Sequence, residues 1–361
     1  MPELRQAKRE IKGGSCAGPA FGGPPGQSLI GPDYPNGQKR FSLPLWGKAK
    51  VGGGLLAGFK RTRQGLDCGI RVKGQEQQTM HDATKVLARF AARPWAALTT
   101  ADMAAGMAVP SMLSHEESQL YHWLGRSVQG LGATVDLGAF AGGSAARLLS
   151  GLALSGQRHH LFAYDHFRSS AAVWAKHLTG FPVPATDDND ILPIARQHLA
   201  PSAAQVTLCP GDIAASRWTG GPIEILAVDA AKGSAIADHI AAEFFPALVP
   251  GQSILIQQDY LMPAQPWLPA QMVMLADHFL PLARVAKDCV TFLCLSVPDA
   301  ETLDAARTDV LTDGQLMQRV RAAAKWHDGM IPRDRFKAML DKVREHPGVR
   351  LAWQMRRDPG R

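Results

Sequence analysis

At 361 residues, 46% hydrophobic and 20% charged, the chain is long enough to bury a substantial core in one domain or two. No run of about 18 apolar residues occurs, which excludes a membrane-spanning helix, and no apolar segment follows the charged start (Arg5, Lys8, Arg9, Glu10, Lys12), so no secretory signal is expected. The net charge of +7 is carried by residues 1–80, which hold 13 Lys+Arg against 5 Asp+Glu, while the rest stands at −1.

A basic stretch binds polyanions non-specifically, but a near-neutral body argues against nucleic acid as the substrate of the folded part. Cys16, Cys68, Cys209, Cys289 and Cys294 are odd in number and form no C-x-x-C pair. Neither a disulfide framework nor a zinc ribbon is expected, and the chain reads as soluble and cytoplasmic.

Residues 1–80 also hold 16 of the 35 glycines, with runs such as Gly22-Gly23-Pro24-Pro25-Gly26. No period persists there, so the segment reads as a disordered basic leader, or as upstream sequence before a start at Met80. A helical cap over 81–130 follows. Its clearest signal is the capping box Ser114–Glu117, with Leu120, Trp123, Leu124 and Val128 at helical spacing and an end near Gly130. Strands then alternate with helices over 131–300. Strands are expected over Thr134–Leu137, His160–Asp165, Gln205–Leu208, Ile223–Asp229 and Ser253–Asp259. The second strand follows a helix over Ser144–Leu154, and a helix with Ile236, Ile240 and Phe244 on one face precedes the fifth. A helix around Gln271–Leu282 leads to strands Ala283–Val285 and Val290–Val297, joined by Lys287-Asp288, an antiparallel pair at one edge. The pattern predicts a doubly wound, mostly parallel seven-stranded α/β sheet. The extension 301–361 contains an amphipathic helix through Phe336, Met339, Leu340 and Val343, packed on the body or on a second subunit.

Ligands of such sheets bind at the carboxyl ends of the strands. Asp165, Asp212, Asp229 and Asp259 all fall at or just past that edge, and Asp136 sits before a glycine turn. That turn reads Asp136-Leu137-Gly138-Ala139-Phe140-Ala141-Gly142-Gly143-Ser144. Its glycines allow close approach of the backbone to a ligand, with Ser144 near the N-cap of the next helix. The four-residue gap between the first two glycines departs from the G-x-G-x-x-G fingerprint of dinucleotide-binding proteins. The pair His159-His160 reads as a solvated turn. His166, just after Asp165, is a candidate to line the cofactor pocket, although nothing in the spacing demands it. The proline-rich loop Tyr260–Gln271 is either a semi-rigid wall or lid on the acceptor side or an ordinary packed surface loop.

The motif D-x-G-x-x-x-G-G-S resembles the first motif of class I S-adenosylmethionine-dependent methyltransferases, in particular the branch of macrocin-type and catechol O-methyltransferases. The resemblance covers residues 111–297. It implies the Rossmann-like methyltransferase fold, with the seventh strand antiparallel at the edge. It implies that Gly138, Gly142 and Gly143, with Ser144 beside them, bound the methionine part of S-adenosylmethionine. Asp136 would then lie near its amino group, Asp165 on the ribose hydroxyls and Asp212 on the adenine. Asp229-Ala230-Ala231-Lys232 has the Asp-x-x-Lys spacing that, in the catechol-type enzymes, supplies a metal ligand and a general base. For Lys232 the other reading is a solvated start of the following helix. The implied metal set is Asp229, Gln258 and Asp259, holding Mg²⁺. Here it departs from the family, because a neutral amide stands where a second carboxylate or Asn is usual, and Mg²⁺ favours carboxylates and water. A metal-free reaction using Lys232 or Asp259 as base is the alternative.

These features imply methyl transfer to a hydroxyl of a small molecule or sugar, with the terminal helices offering a surface for a homo-oligomer. The rival readings are an inactive methyltransferase-fold scaffold, which would bind the cofactor without turnover, and a nucleotide-binding oxidoreductase, which the glycine spacing disfavours. An RNA methyltransferase is disfavoured by the neutral body.

Overall fold

The computed structural model describes residues 83–181, 189–286 and 288–355; the expected basic leader lies outside them. A helix over 83–91 (α1), a short helix Ala104–Met107 (α2) and helix His115–Arg126 (α3) precede the sheet. The chain continues as β1 (Ala133–Leu137), α4 (Gly143–Leu152), β2 (Leu161–Asp165), α5 (Ala171–His177), α6 (Leu192–Leu199), β3 (Val206–Pro210), β4 (Ile223–Val228), α7 (Ser234–Phe244) and β5 (Ile254–Gln257). It ends with α8 (Trp267–Met274), β6 (Phe279–Val285), β7 (Cys289–Cys294), α9 (Ala300–Ala305), α10 (Asp313–Trp326), α11 (Arg333–Glu345) and α12 (Ala352–Met355).

The seven strands form one sheet in the order β3-β2-β1-β4-β5-β7-β6. Pairings among β1 to β5 are parallel, and β7 runs antiparallel to both neighbours. This is the mostly parallel, Rossmann-like sheet that the alternation of elements predicts. One detail differs. The β6–β7 hairpin forms the edge, but β7 lies inside against β5 and β6 is outermost. The apolar run Cys289–Cys294 is buried throughout, as an interior strand with two covered faces must be.

Alternate residues of each strand enter separate cores, as the period of two requires. Val135, Leu137, Phe162, Tyr164, Leu226, Val228 and Leu255 pack with α7, α8, α10 and α11. Leu161, Ala163, Ile225, Ala227, Ile254 and Ile256 pack with α3 and α4 on the other face. The Ser114 capping box is formed, with the Ser114 side chain accepting from Glu117 N and the Glu117 side chain accepting from Ser114 N. Helices α3 and α4 cross in backbone contact, since a Cβ at Gly151 would stand 2.0 Å from His122 O. Helix α3 is thereby seated on that face of the sheet.

Three readings change. The expected helix Gln271–Leu282 is displaced towards the N-terminus as Trp267–Met274, and Phe279–Leu282 belong to β6. The segment Tyr260–Gln271 is neither a lid nor a surface loop. Tyr260, Leu261 and Trp267 are fully buried, because α10 and α11 cover them in the same core. Nor is His159-His160 solvated: the His159 side chain is buried beside Glu224, and His160 Nε2 hydrogen-bonds Thr207 Oγ1 at 2.7 Å. Helices α5 and α6 lie between β2 and β3, where the sequence reading places no element.

Candidate active site

Strands β2 and β3 lie on one side of β1, and β4 and β5 on the other. The connections after β1 and β4 therefore leave towards opposite faces and open a crevice at the carboxyl edge, the usual ligand position in open α/β sheets. The glycine turn forms one wall. Gly138 and Ala139 N–H both donate to Tyr164 O (2.8 and 3.1 Å), which folds the turn back over the end of β2. Gly138 has φ +100°, and a Cβ there would stand 3.0 Å from the carbonyl carbon of Asp229. Only glycine meets both demands. Helix α4 begins at Gly143 with Gly142 as N-cap, so Ser144 does not cap it. Its hydroxyl instead donates to Asp136 Oδ2 at 2.7 Å. Cβ positions at Gly142 and Gly143 would meet Leu199 and the Pro110–Ser111 backbone respectively, so these glycines also admit close packing around the helix start.

Asp136 is 1% exposed. Burial pushes its carboxyl up to about 7, against the Ser144 hydrogen bond that favours the anion. Asp165, at the end of β2, accepts Phe140 N–H on Oδ2 (2.9 Å) and Phe167 N–H on Oδ1 (2.7 Å). Burial raises its pKa despite those two bonds. Each oxygen keeps a lone pair for a further donor. Asp212, following Gly211 whose N–H donates to Asp165 O at 3.0 Å, is exposed, its Oδ1 accepting Ala214 N–H at 2.9 Å and lying 3.6 Å from His166 Nε2. His166 is exposed as well.

The centre of the crevice holds Lys232. Its Nζ donates to Asp229 Oδ1 and to Asp259 Oδ2, bridging the ends of β4 and β5. Helix α7 starts only at Ser234, so Lys232 does not serve as a solvated helix start. Burial pulls the ammonium's pKa down, but the two carboxylates outweigh it and leave it above the ordinary value. Burial raises Asp229 to about 6, with Lys232 opposing and Asp259 adding to the shift. A resting general base needs a neutral amine; this amine is held as a cation.

The same geometry decides the metal question. Lys232 Nζ stands between the two carboxylates that a divalent ion would bridge. The third proposed ligand, Gln258 Oε1, accepts Tyr121 OH at 3.1 Å. Among the described residues no group of three or more His, Cys, Asp or Glu is placed to hold a metal. As these residues are arranged, the set Asp229, Gln258 and Asp259 does not fit Mg²⁺: the local cation is the lysine.

Two contributors carried no readable function in the sequence. Tyr121 lies one turn after Glu117 on the buried face of α3, a spacing that reads as core. Gln265 Nε2 donates to Asp259 Oδ2 at 2.6 Å from a segment that reads only as a proline-rich loop.

No protein-family model matches the chain, and no curated protein sequence matches it. Among solved structures it is similar to the O-methyltransferase NovP, at 15% identity and TM-score 0.42 over 52% of this chain and 82% of that one. It is similar to the Podospora anserina methyltransferase PaMTH1 in its SAH-bound form, at 12% identity and TM-score 0.36 over 64% and 99%. It is also similar to human N-acetylserotonin methyltransferase in complex with SAM, at 17% identity and TM-score 0.30 over 62% and 67%. The strand order and the two cores define the Rossmann-like sheet independently of these likenesses. No helix among the described residues is long and apolar enough to cross a membrane.

Proposed function

We propose that the protein is an S-adenosylmethionine-dependent methyltransferase acting on a hydroxyl of a small-molecule or sugar acceptor without a divalent metal. The observation that carries this reading is the pairing of Asp136 and Asp165 across the glycine turn at the switch point of the sheet. Asp136 is a buried carboxylate with one hydrogen bond, and no cation stands beside it among the described residues. Such a group is costly as an anion until a cationic ligand arrives. Asp165 is held by two backbone amides in a position to accept from a diol. A ligand with an ammonium, a sulfonium and a ribose diol fits this donor set, with Asp136 on the ammonium and Asp165 on the hydroxyls.

When bound, S-adenosylmethionine supplies a methyl group activated by its sulfonium. The chain's own residues then deal with the acceptor's proton. The Lys232 ammonium lowers the pKa of a hydroxyl placed beside it and stabilises the oxyanion. The proton passes to a carboxylate of the bridge. Asp229, raised to about 6, is better matched to proton transfer near neutrality than an ordinary aspartate. Gln265 and Lys232 hold Asp259 in place.

Calorimetric titration of S-adenosylmethionine and S-adenosylhomocysteine into the full chain tests the reading, with Asp165→Ala beside it. Micromolar binding that is lost in the variant supports it; a folded wild type that binds neither ligand overturns it. The double ion pair of Lys232 favours a second reading, a binding module without turnover. Cofactor binding without methyl transfer to any hydroxyl in a broad acceptor screen would select it.

A further inference from the structure

The loops that carry Lys232 and Asp259 are both gripped by the C-terminal extension. Ala352 N–H donates to Lys232 O at 2.9 Å, and Ser234 N–H donates to Arg350 O at 3.1 Å. Gly233 and Leu351 form an antiparallel bridge between these two contacts. From the opposite side, Trp267 Nε1 donates to Ala231 O at 2.9 Å. At the second loop, Tyr260, next to Asp259, hydrogen-bonds His327 Nε2 at 2.8 Å through its hydroxyl, and Arg335 donates to Leu261 O at 3.1 Å. His327 and Ala352 are buried, and Ile331, Phe336, Met339, Val343 and Met355 join the core that holds Tyr260 and Trp267.

A lysine side chain, with four rotatable bonds in its stem, has much rotamer entropy to lose on being fixed. Its ammonium can bridge two carboxylates on different strands only if its own peptide is fixed first. The turn between β4 and α7 is short and makes one internal backbone bond at this point, Lys232 N–H to Ala230 O at 2.8 Å. We propose that the segment from His327 to Ala352 is a positioning element for the Asp229–Lys232–Asp259 bridge, with the Ala352 N–H its contact on Lys232. This rests on the reading of that bridge as the proton-handling group; the grip itself is read independently of any activity.

The test is Ala352→Pro in the full chain. Residue 352 is the first position of α12, where proline is tolerated, and Leu351 before it is extended, as a pre-proline residue should be. The substitution removes the N–H and sets the ring Cδ against Lys232 O, so the contact cannot re-form; Ala352→Gly keeps that N–H and serves as control. Reductive methylation followed by peptide mapping reads the availability of the Lys232 amine, which its ion pairs suppress. We expect Lys232 to label at least threefold faster in Ala352→Pro than in wild type or Ala352→Gly, with affinity for S-adenosylhomocysteine within twofold. Unchanged labelling in a folded Ala352→Pro overturns the proposal. Should that variant fail to fold, hydrogen exchange of the wild type decides. Slow, matched exchange at Ala352 and Ser234 supports the grip, and an Ala352 amide exchanging like an exposed one overturns it. Failure of the methyltransferase reading would appear separately, as absent cofactor binding with labelling intact.

Discussion

Ser144 donates its hydroxyl to Asp136 at 2.7 Å, joining the first turn of α4 to the end of β1 beneath the glycine turn. The buried Asp136 carboxyl has a pH signature, set by burial and opposed by this bond. A carboxyl held at about 7 in the folded chain, against 3.8 as the ordinary value, binds its proton more tightly folded than unfolded. Its contribution to stability is therefore present below pH 4 and is lost as pH rises through 7. Asp136→Asn keeps an acceptor for Ser144 and removes the buried charge. We expect the variant to be more stable than wild type at pH 8, by about 1–3 kcal/mol, and indistinguishable from it at pH 4. Asp238, also raised by burial to about 6, leaves part of the wild-type slope in place. Thermal melts at the two pH values measure this; equal differences at both would show that Asp136 titrates normally.

Lys232→Met leaves Asp229 and Asp259 facing each other without a counter-ion. Removing one partner of a fully buried pair costs about 3–5 kcal/mol. The Lys232 side chain is 35% exposed, so a discounted loss of about 1–3 kcal/mol is expected at pH 8. The loss shrinks at pH 5, where Asp229, raised to about 6, is protonated. Added Mg²⁺ should leave the wild-type melting temperature within about 1 °C, and should stabilise Lys232→Met once the ammonium no longer stands between the carboxylates. A magnesium-dependent shift in the wild type alone would reverse the assignment of Lys232 as the local cation.

The sheet was legible because β1, β2, β4 and β5 are short apolar runs ending near an acid, and the Ser114 capping box marks α3 by chemistry local to four residues. The glycine turn and Asp165 were legible for the same reason: each sits within a few residues of a strand end. The state of Lys232 was not. Asp229 is its neighbour at three residues, but Asp259 is 27 residues away and reaches it only because β5 pairs with β4. Likewise Tyr260–Gln271 reads as a loop from its prolines, and only the packing of α10 and α11, more than 40 residues later, makes it interior. Signals carried by pairing and by distant coverage do not appear in local spacing.

Tyr121 and Gln258 are both buried, and the Tyr121 hydroxyl supplies the hydrogen bond to Gln258 Oε1 at 3.1 Å. Tyr121→Phe strands that amide oxygen in a dry site. A loss of about 1–2 kcal/mol follows from the unsatisfied acceptor, read by chemical denaturation. Tyr121→Phe combined with Gln258→Met should recover most of it, since both polar partners are then gone. A double variant no more stable than the sum of its single losses would mean that the hydroxyl and the amide do not interact.

The crossing of α3 and α4 seats α3 on the sheet, and Gly151 at that crossing is the tightest glycine position among the described residues. A Cβ at Gly151 would lie 2.0 Å from His122 O and 2.7 Å from Arg126 N, both backbone atoms that cannot turn aside. Gly314, in the first turn of α10, has nothing within 4 Å of the same position. Gly151→Ala must separate the helices and reopen a packed core, a change of about 2–4 kcal/mol against stability. Gly314→Ala adds helix propensity without a clash and should stabilise by about 0.5–1 kcal/mol. Opposite signs for one chemical change, both measured by thermal unfolding at a single pH, would establish that α3 is seated on α4 by backbone contact. A neutral Gly151→Ala would mean that the helices ride farther apart, with Tyr121 drawn away from Gln258 as a consequence.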